Sequence, residues 1–224
     1  MGSSGNDYYI ITLILCNIRS GSRVADNQAV KLTLDSLGAH LKSGRLAPAY
    51  LVSGDEDLLV GEAADAIRAA ARAAGYSERE VHFPQRADDW TDLAAAGGSM
   101  SLFGDRKILE VRFSGKGGKD GSAALVRLLE TAGTDTLLLV ITPRLDPATA
   151  TTAWVKAIEA QGAWLPVWEV GPRELENWLA QRCRRAGLEP TPDALALLAA
   201  RVEGNLLDRK STRLNSSHAN ISYA

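Results

Sequence analysis

The sequence predicts an α/β chain: a three-layer domain whose parallel sheet is covered by helices on both faces, followed by a partial small helical domain. Three observations predict it. Between residues 31 and 170 short apolar runs alternate with helix-length amphipathic segments, the strand–helix–strand order that leads to parallel pairing. "TLLLVIT" (136–142) is apolar almost throughout, as a strand buried on both faces must be. After Gly171 two helical segments follow one another with no strand between them.

The elements follow in order. "LTLDSLGAHLKSG" (32–44) sets Leu34, Leu37 and Leu41 on one helical face and stops at Gly44. "PAYLVSG" (48–54), bounded by Pro48 and Gly54, reads as a buried strand. "DEDLLVGEAADAIRAAARAAG" (55–75) opens on capping acids, offers Leu59, Ala63, Ile67, Ala70 and Ala74 as a packing face, and ends at Gly75. "EVHF" (80–83) is strand-like, and "ADDWTDLAAAG" (87–97) is a short helix capped by Asp88 or Asp89. In "RKILEVRFS" (106–114) Leu109, Val111 and Phe113 alternate with Glu110 and Arg112, the period of a strand. "GKGGKDG" (115–121) reads as a flexible loop and "SAALVRLLETAG" (122–133) as a helix ending at Gly133. "DPATATTAWVKAIEAQG" (146–162) carries Asp146 as N-cap, Pro147 at the first helical position and Gly162 beyond its end. "AWLPVWEV" (163–170) is a strand broken by Pro166. "PRELENWLAQRCRRAG" (172–187) and "TPDALALLAARVEG" (191–204) each open near a proline and close at glycine.

Composition narrows the class. At 224 residues, 46% apolar and 23% charged, the chain has room for one domain with a real core and a smaller unit. A net charge of −2 gives no overall nucleic-acid footprint. Cys16 and Cys183 stand far apart, without a metal or redox spacing, so a reducing, cytoplasmic setting is expected. "YYIITLILCNI" (8–18) is too short to span a bilayer and follows Asp7 instead of a basic cluster, which makes it a poor signal peptide. Residues 1–30 are therefore an N-terminal extension, read either as an extra edge strand or as non-native sequence.

Several chemistries are missing. A phosphate-binding loop needs glycines that turn backbone N–H groups toward the phosphates, and a Lys-Ser/Thr pair. The loop after "AYLVS" reads "GDEDLL" (54–59), whose Asp55, Glu56 and Asp57 repel a triphosphate. "TLLLVIT" is followed by Pro143 and Arg144, without adjacent acids to hold magnesium. "GKGGK" (115–119) lacks the phosphate-loop spacing and reads as a solvated connection. His40, His82 and His218 form no ligand pair. "QRCRR" (181–185) could touch DNA, yet it also suits the polar end of a helix. The five tryptophans, Trp90, Trp154, Trp164, Trp168 and Trp178, are assigned to core packing or to filling a domain junction, in preference to base stacking, because no basic residues interleave with them. No catalytic residue, cofactor or metal is expected.

One stretch remains unexplained by burial. "GGSMSLFGDRK" (97–107) places Leu102 and Phe103 between a helix and a strand, after two glycines and before a charged turn. Two large apolar side chains on a short presented turn can fill a partner's pocket as a compact hot spot. Gly97, Gly98 and Gly104 are expected to let the backbone project and pivot.

Taken in order, "PAYLVSGDEDLLVGEAADAIR", "GGSMSLFGDRKILEVR", "TLLLVIT", "AWVKAIEAQGAWL" and "ARVEGNLL" resemble the delta subunit of the bacterial DNA polymerase III clamp loader. The resemblance covers about residues 31–207. It implies an AAA+-like fold without an ATP site. It also implies a non-catalytic subunit of a DNA polymerase holoenzyme, a nucleotidyltransferase assembly. The implied role is to bind the sliding clamp and help open it for loading on primed DNA during replication. Met100, Ser101, Leu102 and Phe103 are the implied clamp-binding residues. The glutamine that some members carry ahead of the motif is replaced by Gly98. Implied partners are the beta sliding clamp, the gamma/tau and delta-prime subunits, and primed DNA through the complex, with no membrane. Alternative readings are an AAA+-type ATPase with a degenerate site and a DNA-binding module using Arg182, Arg184 and Arg185.

The expected division is an AAA+-like clamp-binding domain at 31–170 and a partial helical lid domain at 171–207. "DRKSTRLNSSHANISYA" (208–224) has no apolar periodicity, departs from the family pattern and looks like a translated adapter. The family's collar domain is accordingly expected to be missing.

Overall fold

The computed structural model describes residues 30–98, 106–113 and 117–201. Among them six strands form a single parallel sheet: β1 (Val30–Lys31), β2 (Ala49–Ser53), β3 (Tyr76–His82), β4 (Arg106–Arg112), β5 (Thr136–Thr142) and β6 (Ala163–Pro166). The spatial order is β1-β6-β2-β5-β4-β3. Helices are α1 (Leu34–Lys42), α2 (Asp57–Ala73), α3 (Ala87–Gly98), α4 (Gly118–Thr131), α5 (Pro147–Ala150), α6 (Ala153–Gln161), α7 (Pro172–Arg185) and α8 (Pro192–Arg201). This is the expected three-layer α/β class. Counted from β2, the five longer strands stand in the order fifth, first, fourth, third, second.

Alternation along each strand divides the side chains between two cores. Tyr50, Val52, Leu137 and Leu139 join α1, α2 and α7 on one face. Ala49, Leu51, Leu138 and Val140 join α3, α4 and α6 on the other. β2 and β5 sit inside the sheet and are buried over nearly their whole length, which is why their sequences lack polar alternation.

Local chemistry sets the boundaries. Thr33 and Ser36 form a reciprocal capping box at the start of α1. α2 buries Leu59, Ala63, Ile67 and Ala71, an i, i+4 row. That row corrects the expected face: Ala70 is half-buried and Ala74 exposed. Asp89 does not cap α3 from in front of it. Its carboxylate lies in the first turn and accepts from the Gln85 and Arg86 N–H groups, each at 2.8 Å. Gly162 ends α6 where a Cβ would stand 2.3 Å from the Ala49 oxygen.

Two further expectations change. The helix foreseen from Pro147 onward splits into α5 and α6. The Thr151 and Thr152 hydroxyls donate to the Ala148 and Thr149 carbonyls at 2.8 and 2.6 Å, an alternative to continuing the helical ladder. "GKGGKDG" is not loop throughout, because α4 begins at Gly118 and Gly121 packs under Trp90. The short strand β1 beside β6 lies at the boundary given to the N-terminal extension. The run 8–18 lies outside the described residues.

Candidate functional site

The clamp-binding residues expected from sequence, Met100, Ser101, Leu102 and Phe103, lie outside the described residues. The two elements that bound them do not. α3 ends at Gly98 and β4 begins at Arg106, and both stems are fixed by named contacts. Gly97 is buried, and a Cβ on it would stand 1.9 Å from Leu128 Cδ2 on α4. It is therefore a site of close helix packing, which corrects the reading of Gly97 as a pivot. Lys107, itself buried, donates from Nζ to the Ala96 carbonyl oxygen at 2.8 Å and to Glu80 Oε1 at 3.3 Å. Arg106 stacks its guanidinium 4.3 Å from the Tyr76 ring centre and donates to the Ala74 and Thr134 carbonyls at 2.9 and 3.3 Å.

Glu110 is a charged group whose burial the strand period did not reveal. It alternates with Leu109 and Val111 as a solvent-facing residue would, yet it is fully buried on the α2 side of the sheet. Arg79 Nε and Arg68 Nη1 donate to its Oε2 at 2.9 and 3.0 Å, and Arg112 Nε donates to Oε1 at 2.6 Å. Burial pushes the Glu110 pKa up, but the hydrogen bonds from Arg79 and Arg112 and the charge of Arg68 prevail and hold it below the ordinary glutamate range. The signal available in the sequence was a lone acid in "RKILEVR" with basic residues on both sides.

At the carboxyl edge of the sheet lies a cleft of about 470 Å³, bounded by the β2–α2 connection, the ends of β4 and β5 and the segment after β3. This is where a nucleotide would sit in a sheet of this order. The connection consists of Gly54, Asp55 and Glu56 alone, too short for the eight-residue phosphate loop. Gly54 is pressed on the next strand, where a Cβ would stand 2.4 Å from the Val167 oxygen. Asp55 Oδ1 accepts from the Arg144 N–H at 3.0 Å, so this acid ties two loops together across the cleft's edge.

The aromatic residues divide by environment. Trp90, Phe113 and Trp154 form an edge-to-face ladder with ring centres 5.2 and 5.7 Å apart. The other three tryptophans each carry a cation, which corrects the expectation that no basic residues accompany them. Lys31 lies over Trp164, Arg144 over Trp168 and Arg182 over Trp178. Arg182, one of the candidate DNA-contacting arginines, also pairs with Glu62 on α2. Among the described residues no group of His, Cys, Asp and Glu is placed to hold a metal ion, and no helix is long and apolar enough to cross a membrane.

Comparison with known proteins meets this geometry. The chain is 30% identical over 181 residues to DNA polymerase III subunit delta of Escherichia coli K12, covering 80% of this chain and 52% of that protein. It is 25% identical over 179 residues to the same subunit of Haemophilus influenzae, covering 79% of this chain and 52% of that protein. The chain thus spans about half the length of the curated relatives it matches. In fold it is similar to the Bacillus subtilis DNA clamp loader delta protein, with a TM-score of 0.59 at 16% identity over 84% of this chain and 58% of that one. The family model described as DNA polymerase III, delta subunit, matches residues 50–167, more than half of the 224 residues. The chain belongs to the DNA polymerase III delta-subunit family.

Proposed function

We propose that this chain is the clamp-contacting portion of a clamp-loader delta subunit acting in DNA replication. It binds the ring-shaped sliding clamp and helps open one clamp interface for loading on primed DNA, while sister subunits hydrolyse ATP. Met100, Ser101, Leu102 and Phe103 make the contact, with Leu102 and Phe103 as the apolar anchor. The observation that carries this reading is the family match over residues 50–167, which spans "MSLF" together with the elements on both sides of it. The fixed stems support it, because an anchor carried on a rigid base loses less conformational entropy on binding. Residues 31–170 serve as the clamp-binding domain and 171–207 as the beginning of the helical lid. The gamma/tau and delta-prime subunits are its partners in the full-length protein, and the cytoplasm is its compartment. The subunit performs no catalysis of its own.

The test is capture of a bacterial sliding clamp by the chain, compared with Leu102→Ala/Phe103→Ala. Loss of two such anchors is expected to weaken binding by at least about a hundredfold, on the order of 3 kcal/mol. Circular dichroism of the double variant is expected to match the wild type. Unchanged clamp affinity in a folded double variant would remove the proposal.

A further inference from the structure

β3 closes one end of the sheet, and among the described residues no strand pairs with its outer side. An edge strand presents unpaired N–H and C=O groups to any extended chain of suitable sequence, and proteins commonly blunt such edges with bulges or outward charges. Here the register shift lies at the start of β3, between Tyr76 and Glu78, and Arg79 to His82 pair regularly with Ile108 to Val111. The charges of that stretch turn back on the protein. Arg79 Nε donates to Glu110 Oε2 at 2.9 Å, and Glu80 Oε1 accepts from Lys107 Nζ at 3.3 Å. Held inward, they do little to repel a pairing strand.

The α2 side of β3 carries a second signal. Val81 stands beside Glu110 in the register, hence on that face, and is 36% exposed. Phe83, one residue past the strand, is 63% exposed. Positive charge prevails on this face, where Arg68, Arg72, Arg79 and Arg112 surround the acids Asp65 and Glu110. Arg79 and Arg112 each bind Glu110 through Nε, so the buried carboxylate fixes both guanidinium groups. Both side chains remain 40% exposed, and their Nη nitrogens make no hydrogen bond with a described residue.

We infer that the outer edge of β3 docks an extended acidic segment of another protein chain, which adds to the sheet as a further strand. Its backbone pairs with the open N–H and C=O groups of β3. On the α2 side its side chains meet Arg79, Val81 and Phe83 in turn, so one carboxylate followed by two apolar groups fits. A guanidinium anchored through Nε offers its remaining N–H groups to a carboxylate in a fixed orientation. A basic segment would set like charge against Arg79, and a second copy of β3 would bring its own Arg79 to the same face. Asp55 and Asp57 follow β2, which stands three places from β3 in the sheet, and so lie away from this edge.

The experiment is a titration of the isotopically labelled full chain with the capped heptapeptide Thr-Glu-Thr-Val-Thr-Val-Thr and with its reverse, the parallel and antiparallel probes, followed by amide chemical shifts. The expected result is saturable shifts centred on Arg79 to Phe83, in about the millimolar range, with one of the two. Lysine in place of the probe's glutamate is expected to weaken binding about tenfold, and N-methylation of alternate peptide bonds to abolish it. Arg79→Gln is expected to weaken the response. Val81→Glu, at an exposed position that the fold tolerates, is expected to weaken it at least about tenfold. The inference is overturned by equal binding of the glutamate and lysine probes, by full affinity of the N-methylated probe, or by a wild-type response in folded Val81→Glu. Shifts that saturate elsewhere, no saturable shift with either sequence, tighter binding of a single-stranded oligonucleotide, or self-association of the chain through β3 would overturn it too. Leu102→Ala/Phe103→Ala is expected to leave the titration unchanged, so this inference and the clamp-binding reading fail separately.

Discussion

Lys107 and Ala96 are joined across a segment to which neither belongs: the Lys107 ammonium donates to the Ala96 carbonyl oxygen at 2.8 Å. The acceptor lies in the last turn of α3, where carbonyls lack intrahelical partners and a cation is favoured by the helix dipole. The donor opens β4. One buried charge therefore connects the end of the helix to the start of the strand.

Removing that charge while keeping the aliphatic stem tests the bond together with the 3.3 Å pair to Glu80. Lys107→Met is expected to destabilise the fold by about 1.5–3 kcal/mol, the range for hydrogen bonds to charged groups. The midpoint of urea unfolding measures it. An unchanged midpoint would mean that the buried ammonium and its two partners contribute nothing net in water.

Gly97 makes a second prediction about the same helix. Alanine is favoured over glycine inside a helix by roughly 0.8–1 kcal/mol, and on propensity alone Gly97→Ala stabilises. The new Cβ, however, stands 1.9 Å from Leu128 Cδ2, and Leu128 is 1% exposed with little room to move. Overpacking costs of about 1–3 kcal/mol exceed the propensity gain, so Gly97→Ala is expected to lower the melting temperature. Adding Leu128→Val, which shortens the colliding side chain, is expected to restore part of the loss. A Gly97→Ala variant more stable than wild type would contradict the packing.

Glu110 predicts how stability depends on pH. Its folded pKa lies below the ordinary glutamate range. The folded state therefore releases this proton more readily than the unfolded chain. The stabilisation is fully present above the unfolded value of about 4.3 and is lost as pH falls through the lower, folded value. Glu110→Gln keeps the shape and removes the charge, leaving Arg68, Arg79 and Arg112 without their common carboxylate. A loss of about 3–5 kcal/mol at pH 7 is expected, the range for breaking a buried pair. Between neutral and acidic pH the variant's unfolding free energy is expected to fall less steeply than that of the wild type. Parallel pH profiles would assign the acid sensitivity to other carboxylates.

These residues also mark how far the sequence could be read. Tyr50 to Val52 and Leu137 to Val140 were legible because continuous apolar runs in short segments have one stable solution, a strand covered on both faces. The burial of Glu110 was not legible, because period-two alternation looks the same whether the second face meets water or a set of arginines. Thr151 and Thr152 broke a helix that an apolar pattern carried straight through them, since hydroxyl-to-carbonyl bonds leave little trace in hydrophobic periodicity. The closeness of Gly97 to Leu128 depends on two helices brought together by the sheet, which no single stretch encodes. Met100 to Phe103 came from the order of motifs along the chain. Spacing alone pointed only to an apolar pair without an element to bury it.

The remaining prediction concerns nucleotide. Binding of a triphosphate at the edge of such a sheet depends on backbone N–H groups of a long glycine-rich loop and on a lysine that meets the terminal phosphates. Here Ser53 ends β2 and Asp57 begins α2, so three residues make the connection and two of them are acids. Gly54, the one glycine, is held against the Val167 oxygen, and Asp55 is held by the Arg144 N–H. Opening the loop for a phosphate would break both contacts, and the phosphate would then meet like charge. Calorimetric titration with magnesium and ATP at millimolar concentration is expected to give no saturable heat, and the melting temperature is expected not to rise. A rise on ATP addition would mean that nucleotide binds the folded state preferentially, by the linkage between ligand binding and stability. The degenerate-ATPase alternative would then have to replace the reading of a nucleotide-free scaffold.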